Sequence, residues 1–346
     1  MQKLRRSNMA VSFATIVKRY QDELRNLPAP KLTFGRSVVG TEGFPSPHFF
    51  DRLFQDHDKG IKFLQDCGLL KRQMLCPTCG SDMHLWRCKT VLDEYRWGCG
   101  KGRRMERCRA TRSLRHGSWF TKSNLSLFEV LIMTYCILGK MPFENITQLY
   151  QFEGHTLCDW SQFCKEVLIE FIETNSEMVG GQDKVVEVDE SKFGRRKYHR
   201  GRYVEGQWVF GGVERDSGRT FLVAVHDRSS ETLSEIIKQW ILPGTTVITD
   251  CWKAYDRLKY ERYDHLRVNH SISFVDEDTG AHTNTIESTW RHVKASLNPY
   301  NRKGEVCYIG ALAEFMFRRR CKAEDVQPFC KFMEIVAAID WSAEPQ

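Results

Sequence analysis

The second half of the sequence predicts a mixed α/β fold, and two observations carry this prediction. From Lys184 onward, the order of elements is strand, strand, strand, helix, strand, short helix, strand and helix. The first three strand segments are β-branched or alternate in polarity, and a turn at Asp216-Ser217-Gly218 joins the second to the third. Three antiparallel strands that lead into α/β crossovers are typical of an RNase H-like mixed sheet with flanking helices on both faces.

Helical spacing of apolar residues predicts the helices of this half. Ser229 or Ser230 can cap the first helix. Its apolar face is formed by Leu233, Ile236, Ile237 and Trp240. In the segment NTIESTWRHVKASL, the apolar residues at i, i+4, i+7 and i+11 are Ile286, Trp290, Val293 and Leu297. A later amphipathic segment, YIGALAEFMFRRRC, is expected to cover the sheet.

Composition divides the chain into five predicted regions. Residues 1–70 have helical patterns that a Pro- and Gly-rich stretch interrupts, and residues 71–122 are cysteine-rich and basic. Helical patterns return at residues 123–180, and the predicted α/β domain occupies residues 181–325. Residues 326–346 are left as a C-terminal tail.

Length and composition limit the classes of protein to which the chain can belong. No segment approaches the roughly 18 consecutive apolar residues that a membrane span needs. Charges follow the short apolar run from Met9 to Val17 and no small-residue cleavage site is evident, so we interpret it as an amphipathic helix start. Most of the thirteen cysteines stand singly in apolar patterns, as buried thiols do in a reducing compartment. We therefore expect an intracellular protein, and a nuclear one if its host is eukaryotic.

Positive charge is concentrated in one stretch. Residues 71–122 contain 13 Lys and Arg against 4 Asp and Glu, a net charge of +9, whereas the whole chain carries +7. A basic module on a nearly neutral body indicates a polyanionic partner, although a solubilising surface has the same signature.

Three acids lie at positions where the predicted fold would bring their carboxylates together. Asp189 lies in the first strand, Asp250 ends the fourth, and Glu287 lies in the first turn of the NTIESTW helix. The first and fourth strands of an RNase H-like sheet are neighbours, so we expect the three carboxylates to converge. Converging carboxylates repel one another unless cations neutralise them. Two Mg²⁺ or Mn²⁺ ions about 3.5–4 Å apart would do so, and they suit displacement at phosphorus.

Each acid also has a purely structural interpretation. Asp250 can cap the helix after its strand, Glu287 can complete a capping box that starts at Asn284, and Asp189 beside Glu190 can be a strand end in solvent. The coincidence of all three acids at matching points of one fold favours the metal site.

The segments VEVDES.FG, VITDCW.AY and NHS..FVD…HTNTIES.W..VK resemble the transposases of Merlin-type DNA transposons and of related bacterial insertion sequences. The resemblance extends over roughly residues 70–320. It implies that Asp189, Asp250 and Glu287 are a DDE triad, catalytic and binding two Mg²⁺ or Mn²⁺ ions. It also implies cut-and-paste excision and integration. The implied partners are double-stranded DNA, as terminal inverted repeats and target, and further copies of the chain in a homodimer or larger synaptic assembly.

A cluster of cysteines predicts a structural Zn²⁺ site in a zinc ribbon. Cys76-Pro-Thr-Cys79-Gly has the spacing that lets two thiolates bind one ion. Candidates for the second pair are Cys88, Cys99 and Cys108, with His84 and His116 as substitutes. The resembling family has its second pair just before a segment that corresponds to residues 113–120, which implies Cys99 and Cys108. A redox CxxC is the alternative, but no thioredoxin-like strand and helix surround it.

Several cations are predicted to contact DNA. Residues 192–202 contain six Lys and Arg and no acid, directly after the strand of Asp189, so this loop is expected to grip the DNA backbone beside the active site. Lys294 lies two turns after Glu287 on the same helix face, where it can meet a phosphate or stay solvated. A metal or DNA role for His282 is left open. The predicted DNA-contact residues are Arg195, Arg196, Lys197, Arg200, Arg202 and Lys294, with Arg103, Arg104, Arg109 and Arg112 in the basic module.

The helical region 123–180 can contain a helix-turn-helix or a dimerisation layer. Residues 141–183 hold eight acids and one lysine, which disfavours a DNA-reading helix and places end recognition mainly on the basic module and the N-terminal region. An active transposase competes with two alternatives, a domesticated zinc-dependent DNA-binding protein without catalysis and an RNase H-like nuclease. The intact triad favours catalysis, and the basic module favours end binding over simple hydrolysis.

Overall fold

The computed structural model describes residues 11–25, 45–102, 108–121, 123–193, 206–250, 254–255, 258, 261–268, 275–276, 279–296 and 305–342. The chain divides into two compact units. The first is Met1–Ser161 together with Gln327–Gln346, and the second is Gln162–Val326.

The described residues form helices and strands in both halves of the chain. In chain order the helices are α1 (Phe13–Arg25), α2 (Pro47–Phe54), α3 (His57–Asp66), α4 (Leu127–Leu138), α5 (Phe143–Tyr150), α6 (Gly154–Asn175), α7 (Ser230–Trp240), α8 (Asn284–Ser296), α9 (Glu305–Ala323) and α10 (Pro328–Ala338). The strands are β1 (His84–Arg87), β2 (Tyr95–Gly98), β3 (Thr111–Ser113), β4 (Val179–Gly180), β5 (Val185–Phe193), β6 (Gln207–Glu214), β7 (Thr220–Val225), β8 (Ile241–Leu242), β9 (Thr246–Asp250) and β10 (Asp264–Val268). Within these residues, no helix has the length and apolar character that a membrane span requires.

Aromatic rings fill the core of the first unit. Phe329 of α10 meets Phe13 of α1 edge-on, with 6.0 Å between the ring centroids. Phe50 of α2 and Tyr135 of α4 meet the same ring at 5.6 and 5.3 Å. The Phe13 N–H also donates to the Glu334 carboxylate of α10 at 3.1 Å. The C-terminal segment for which we predicted only a tail therefore contains a helix that lies in the centre of this core.

The basic segment of the first unit contains a three-stranded antiparallel sheet in the order β1-β2-β3. Beside it, Arg115 is only 5 % exposed and Asp93 only 6 %. The guanidinium of Arg115 donates to the Asp93 carboxylate through Nε at 2.6 Å and Nη2 at 2.5 Å. Its Nη1 donates to the carbonyls of Ser123 and Leu125 at 3.0 and 2.7 Å. This buried bidentate pair ties the sheet to the chain that leads into α4.

The second unit contains a five-stranded mixed sheet in the order β10-β9-β5-β6-β7. β5, β6 and β7 are antiparallel neighbours, whereas β9 runs parallel to β5 and β10 runs parallel to β9. The predicted RNase H-like sheet is thereby confirmed, including the adjacency of its first and fourth strands. The predicted hairpin turn is also present, because Gly218 has a φ of 68°, in the left-handed region that glycine tolerates. β4 and β8 form a separate parallel pair.

Alternation along β5 divides its side chains between two layers. Val186 and Val188 belong to a buried core that includes Ile237 of α7. Glu187 and Asp189 point to the opposite face of the sheet, where α8 packs against β5. Acids and apolar residues of one short strand therefore serve different layers.

Several local predictions for the second unit are confirmed. Ser229, rather than Ser230, caps α7 by accepting a hydrogen bond from the Thr232 N–H at 3.3 Å. The helix predicted over NTIESTWRHVKASL is α8, and its buried apolar residues include Ile286, Trp290 and Val293. α9 covers β7 as expected, and the Leu222 N–H donates to the Met316 sulfur at 3.3 Å.

We expect the substitution Arg115→Ala to lower the free energy of unfolding by about 3–5 kcal/mol, because it leaves the Asp93 carboxylate buried without a partner. Chemical denaturation followed by tryptophan fluorescence measures the change. The matched control is Arg87→Ala, since Arg87 pairs with Glu94 but its side chain is 55 % exposed, and little or no loss is expected there. Equal losses in both variants would contradict the importance assigned to the buried pair.

Candidate active site and cysteine cluster

Asp189 lies where β5 runs beside β9. Glu187 of β5 pairs with Ile248 of β9 in parallel register. Asp189 and Asp250 are each two residues further along these adjacent strands, so they stand at the same level. Because side chains alternate along a strand, both aspartates share the face of Glu187 and Ile248. The sheet thus brings together two acids that are 61 positions apart in sequence.

Other acids crowd the Asp189 carboxyl. Burial and the negative charges of Asp250 and Glu287 raise its pKa from the ordinary 3.8 to about 6. Hydrogen bonds from the Glu190 backbone and from Trp290 oppose this rise, and the indole Nε1 of Trp290 donates to Asp189 Oδ2 at 2.9 Å. The three predicted acids therefore share one electrostatic neighbourhood.

Oxygen ligands of this kind fit Mg²⁺ or Mn²⁺, which compensate crowded negative charge.

Glu287 approaches from the first turn of α8, where its side chain is exposed. The helix begins at Asn284, so the structural alternative in which Asn284 caps it and Glu287 completes a capping box does not describe its start. The backbone N–H of Thr285 donates to the Glu187 carboxylate at 2.8 Å. An acid of β5 therefore accepts a hydrogen bond from the start of the helix.

Glu187 is the residue that sequence reasoning missed. It is completely buried and lies two positions before Asp189, on the same face of β5. The sequence contained a signal, because a lone acid between Val186 and Val188 in a buried strand needs a partner. Nothing in the sequence showed that this partner is the start of α8, about 100 residues later.

Glu190 lies on the other face of β5, next to the core. Burial raises the pKa of its carboxyl from 4.5 to about 7, and the charges of Asp189 and Asp250 act in the same direction. The Tyr255 hydroxyl and the Arg228 guanidinium act against this rise. The structural alternative of a strand end in solvent is therefore not observed, because Asp189 and Glu190 are partly buried on the two faces of β5.

Gly211 makes room for the contact between Trp290 and Asp189. It pairs with Asp189 across β5 and β6. A Cβ atom at this position would lie 2.8 Å from Cη2 of Trp290 and 2.7 Å from Cδ2 of Leu222. Only glycine lets the indole lie this close to the strand. Gly211 of β6 is therefore needed for the hydrogen bond between Trp290 and Asp189.

Two further predicted residues lie near the triad. The Nζ of Lys294 stands 5.5 Å from the ring centroid of Phe193, at the end of β5, with its side chain exposed. The His282 ring is 3.4 Å from the Glu187 carboxylate, measured from Nδ1 to Oε1. His282 therefore lies at the start of α8 rather than among the three acids.

Most of the predicted DNA-contact residues lie outside the part of the chain that the structure describes. Arg109 and Arg112 are described, and both are exposed in the basic segment, before and within β3. Those outside the described residues are Arg103, Arg104, Arg195, Arg196, Lys197, Arg200 and Arg202.

Cys76, Cys79, Cys99 and Cys108 converge in the three-stranded sheet of the first unit. The sulfurs of Cys76 and Cys108 are 3.6 Å apart, and those of Cys79 and Cys99 are 3.4 Å apart. Tetrahedral zinc with bonds of about 2.3 Å separates its sulfurs by about 3.8 Å, so the cluster is compatible with one zinc ion. Gly80 closes the CxxC turn with a φ of 66°, and its N–H donates to the Cys76 carbonyl at 2.9 Å.

Hydrogen bonds prepare the CxxC thiols to bind as thiolates. Burial would raise the pKa of Cys76, but backbone N–H groups of Cys79 and Thr78 and neighbouring thiols lower it to about 6. The backbone N–H of Ser81 is the main cause of a lowered pKa at Cys79. Cys88 lies apart from the cluster and contacts the Thr90 hydroxyl at 3.2 Å. The alternative ligands His84 and His116 are not members of the cluster.

The second unit is similar to known transposase domains. Residues 167–319 match the family model of the ISXO2-like transposase domain. An uncharacterised transposase-like protein of Haemophilus influenzae is 32 % identical over 83 residues, which are 24 % of this chain and 66 % of that protein. The chain thus spans just under two thirds of the length of this relative.

Solved integrase structures are also similar to part of this chain. The catalytic core domain of BIV integrase is 14 % identical, with a TM-score of 0.27, over 38 % of this chain and 80 % of that one. The HTLV-2 integrase catalytic core domain, solved in complex with magnesium, is 16 % identical, with a TM-score of 0.26, over 40 % and 86 %. The RNase H-like character of the fold is defined by the order and directions of the five strands themselves.

The raised pKa values predict a pH-dependent stability in the absence of Mg²⁺ and Mn²⁺. The folded state binds protons at Asp189 and Glu190 more tightly than the unfolded state does. This stabilisation is complete below about pH 4 and is lost as the pH rises through about 6 to 7. We expect the Tm to fall between pH 5 and pH 7.5, and to fall less in Asp189→Asn. Identical pH profiles of Tm in the two proteins would show that Asp189 has no raised pKa.

The cysteine geometry predicts one zinc ion per chain. In Cys99→Ser, elemental analysis by mass spectrometry should find far less than one equivalent, because the tetrahedral set loses a thiolate. Cys88→Ser is the matched control and should keep its zinc, since Cys88 lies outside the cluster. Loss of zinc from the control, or its retention in Cys99→Ser, would disprove the ligand set.

Proposed function

We propose that the protein is a DNA transposase that excises and integrates a DNA element by two-metal phosphoryl transfer at the element's ends. We further propose that it belongs with the Merlin-type enzymes. The observation that carries the proposal is the electrostatic coupling of Asp189 to Asp250 and Glu287, within residues that match a transposase domain model. Crowded, partly buried carboxylates at the end of parallel strands have a clear use as ligands of divalent cations.

The three acids and Trp290 have separate roles in the proposed site. Asp189, on the central strand, would hold the Mg²⁺ or Mn²⁺ ions together with Asp250 of β9 and Glu287 of α8. Bound ions lower the pKa of an attacking water or 3′-hydroxyl and stabilise the leaving oxygen. Trp290 occupies Asp189 Oδ2 with a hydrogen bond and so orients the carboxylate.

DNA would be held by cations outside the triad. Lys294 of α8 has its Nζ near the Phe193 ring at the end of β5, where it could contact a phosphate near the acids. The predicted basic loop after β5 and the exposed Arg109 and Arg112 of the zinc ribbon would extend the contact along the backbone. Cutting two ends in concert requires a homodimer or larger synaptic assembly. The protein would act inside the cell, and in the nucleus if its host is eukaryotic.

The decisive experiment combines purified protein, Mg²⁺ or Mn²⁺ and DNA carrying the inverted repeats that flank its coding region. Wild-type protein should cut at the repeat ends and join them to target DNA. Asp250→Asn should lower the rate of cutting by at least about 1000-fold, because the metal site loses a charged ligand. Asp264→Asn removes an exposed carboxylate at the opposite end of the same parallel strands and should cut normally.

Three outcomes separate the proposal from its competitors. Equal cutting by wild type and Asp250→Asn removes the triad assignment. Specific binding of the repeats without any cutting identifies a domesticated DNA-binding protein. Cutting without joining, and without preference for the repeats, identifies an RNase H-like nuclease.

A further inference from the structure

We infer that Glu187 is a positioning residue whose buried carboxylate fixes the register between β5 and α8 and thereby places Glu287 opposite Asp189. The inference deepens the proposed function and rests on it for the role of the site. Its structural content concerns the contacts between one strand and one helix of the second unit.

The Glu187 carboxylate binds the start of α8 through three hydrogen bonds. Oε2 accepts from the backbone N–H groups of Thr285 at 2.8 Å and Ile286 at 3.0 Å. Oε1 accepts from the Thr285 hydroxyl at 2.8 Å. The first N–H groups of a helix have no partner within the helix, and they carry the positive end of its dipole. A buried carboxylate is therefore a strong acceptor at this place.

Arg215 completes the neutralisation of Glu187. Its Nε donates to Oε1 at 2.6 Å, and its Nη2 donates to the carbonyl of His282 at 2.7 Å. The same guanidinium thus holds the acid and the chain segment that leads into α8. Two donors at each carboxylate oxygen leave no lone pair directed at a cation, so Glu187 is excluded as a metal ligand despite its place beside Asp189.

A second bond fixes the helix further along. Trp290 of α8 donates to Asp189, two residues after Glu187 on β5. Two strand residues span about 6.7 Å, and the four to five residues from Thr285 or Ile286 to Trp290 span about 6–7.5 Å of helix. The two pairs of attachment points match in spacing, so the strand and the helix run side by side in one register.

Glu287 lies between these two attachment points. A shift of α8 by one residue would move its side chain by about 1.5 Å along the helix and turn it by about 100°. Such a change would remove Glu287 from the neighbourhood of Asp189. The Trp290 bond alone cannot prevent the rotation of the first turn, because it acts one turn after Glu287. The Glu187 bonds act immediately before Glu287 and hold that turn.

The test compares two buried glutamates of the same sheet. Glu214 of β6 is 4 % exposed and accepts from the Gly180 N–H at 2.7 Å, but it lies on the opposite face from α8. Glu187→Gln and Glu214→Gln each replace a buried carboxylate by an amide. Mn²⁺ binding to the full-length protein is titrated by electron paramagnetic resonance, without DNA and at a temperature well below both Tm values.

A positioning role predicts that Glu187→Gln weakens Mn²⁺ binding by about 10-fold or more, the range typical of residues that orient metal ligands. Glu214→Gln should bind Mn²⁺ within about 2-fold of wild type even if its Tm falls equally. Mn²⁺ affinity that changes equally in both variants would assign Glu187 to stability alone. If Glu187→Gln does not fold, Glu187→Asp keeps the charge but shortens the reach, and it should also weaken Mn²⁺ binding; unchanged binding there would overturn the inference.

Failure of the inference is distinguishable from failure of the proposed function. Asp250→Asn should abolish tight Mn²⁺ binding whatever Glu187 does. If Asp250→Asn binds Mn²⁺ like wild type, the metal site itself is wrongly assigned. If Asp250→Asn loses Mn²⁺ while Glu187→Gln keeps it, the site stands and the positioning role falls.

Discussion

Strand β5 carries three carboxyl groups within four residues, and each of them has a different electrostatic environment. Glu187 is compensated by a guanidinium and by the start of α8. Glu190 lies against Tyr255 and Arg228 with a pKa raised to about 7, so at neutral pH it is shared between its charged and protonated forms. Asp189 accepts hydrogen bonds from the Trp290 indole and the Glu190 backbone but has two acidic neighbours, which leaves it the acid that a cation would stabilise most.

The different environments of these acids explain why α8, the helix that carries Glu287, packs against β5. A helix that supplied Glu287 alone would be repelled by the acids of β5 and β9. The start of α8 brings unpaired N–H groups as well, and these are attracted to the Glu187 carboxylate. The attraction offsets the repulsion, so one helix delivers a third acid to a site that is already negative. Gly211 contributes by leaving space for Trp290 behind Asp189.

The sequence predicted those features of the second unit that depend on local patterns. Alternation and β-branching indicated the strands, Asp216 to Gly218 indicated the hairpin, and helical spacing around Trp290 indicated α8. The fold class predicted that the strands of Asp189 and Asp250 are neighbours, and therefore that the two aspartates lie side by side. The role of Glu187 could not be predicted, because it depends on hydrogen bonds between residues 98 and 99 positions apart.

The same limit applies to the first unit. Helix α10 is apolar and short, and its place among α1, α2 and α4 depends on ring contacts across 194 to 316 positions. The CxxC turn was readable because its two thiols are three residues apart. Its partners Cys99 and Cys108 are nine positions apart in sequence, and the pairing of β2 with β3 brings them together.

The four clustered cysteines lie in a module with a small core. Three short strands enclose little more than Trp97, two methionines and the cysteines. Burial of so few apolar groups offsets little of the entropy of ordering the chain, so a zinc ion held by the four cysteines would make metal binding part of folding. The buried Asp93–Arg115 ion pair also connects this sheet to the chain that leads into α4. The pair also makes Arg115 inaccessible to a polyanion, because its guanidinium is buried and donates four hydrogen bonds. The net charge of +9 of residues 71–122 therefore overstates the charge that this segment exposes, whereas Arg109 and Arg112 are both exposed.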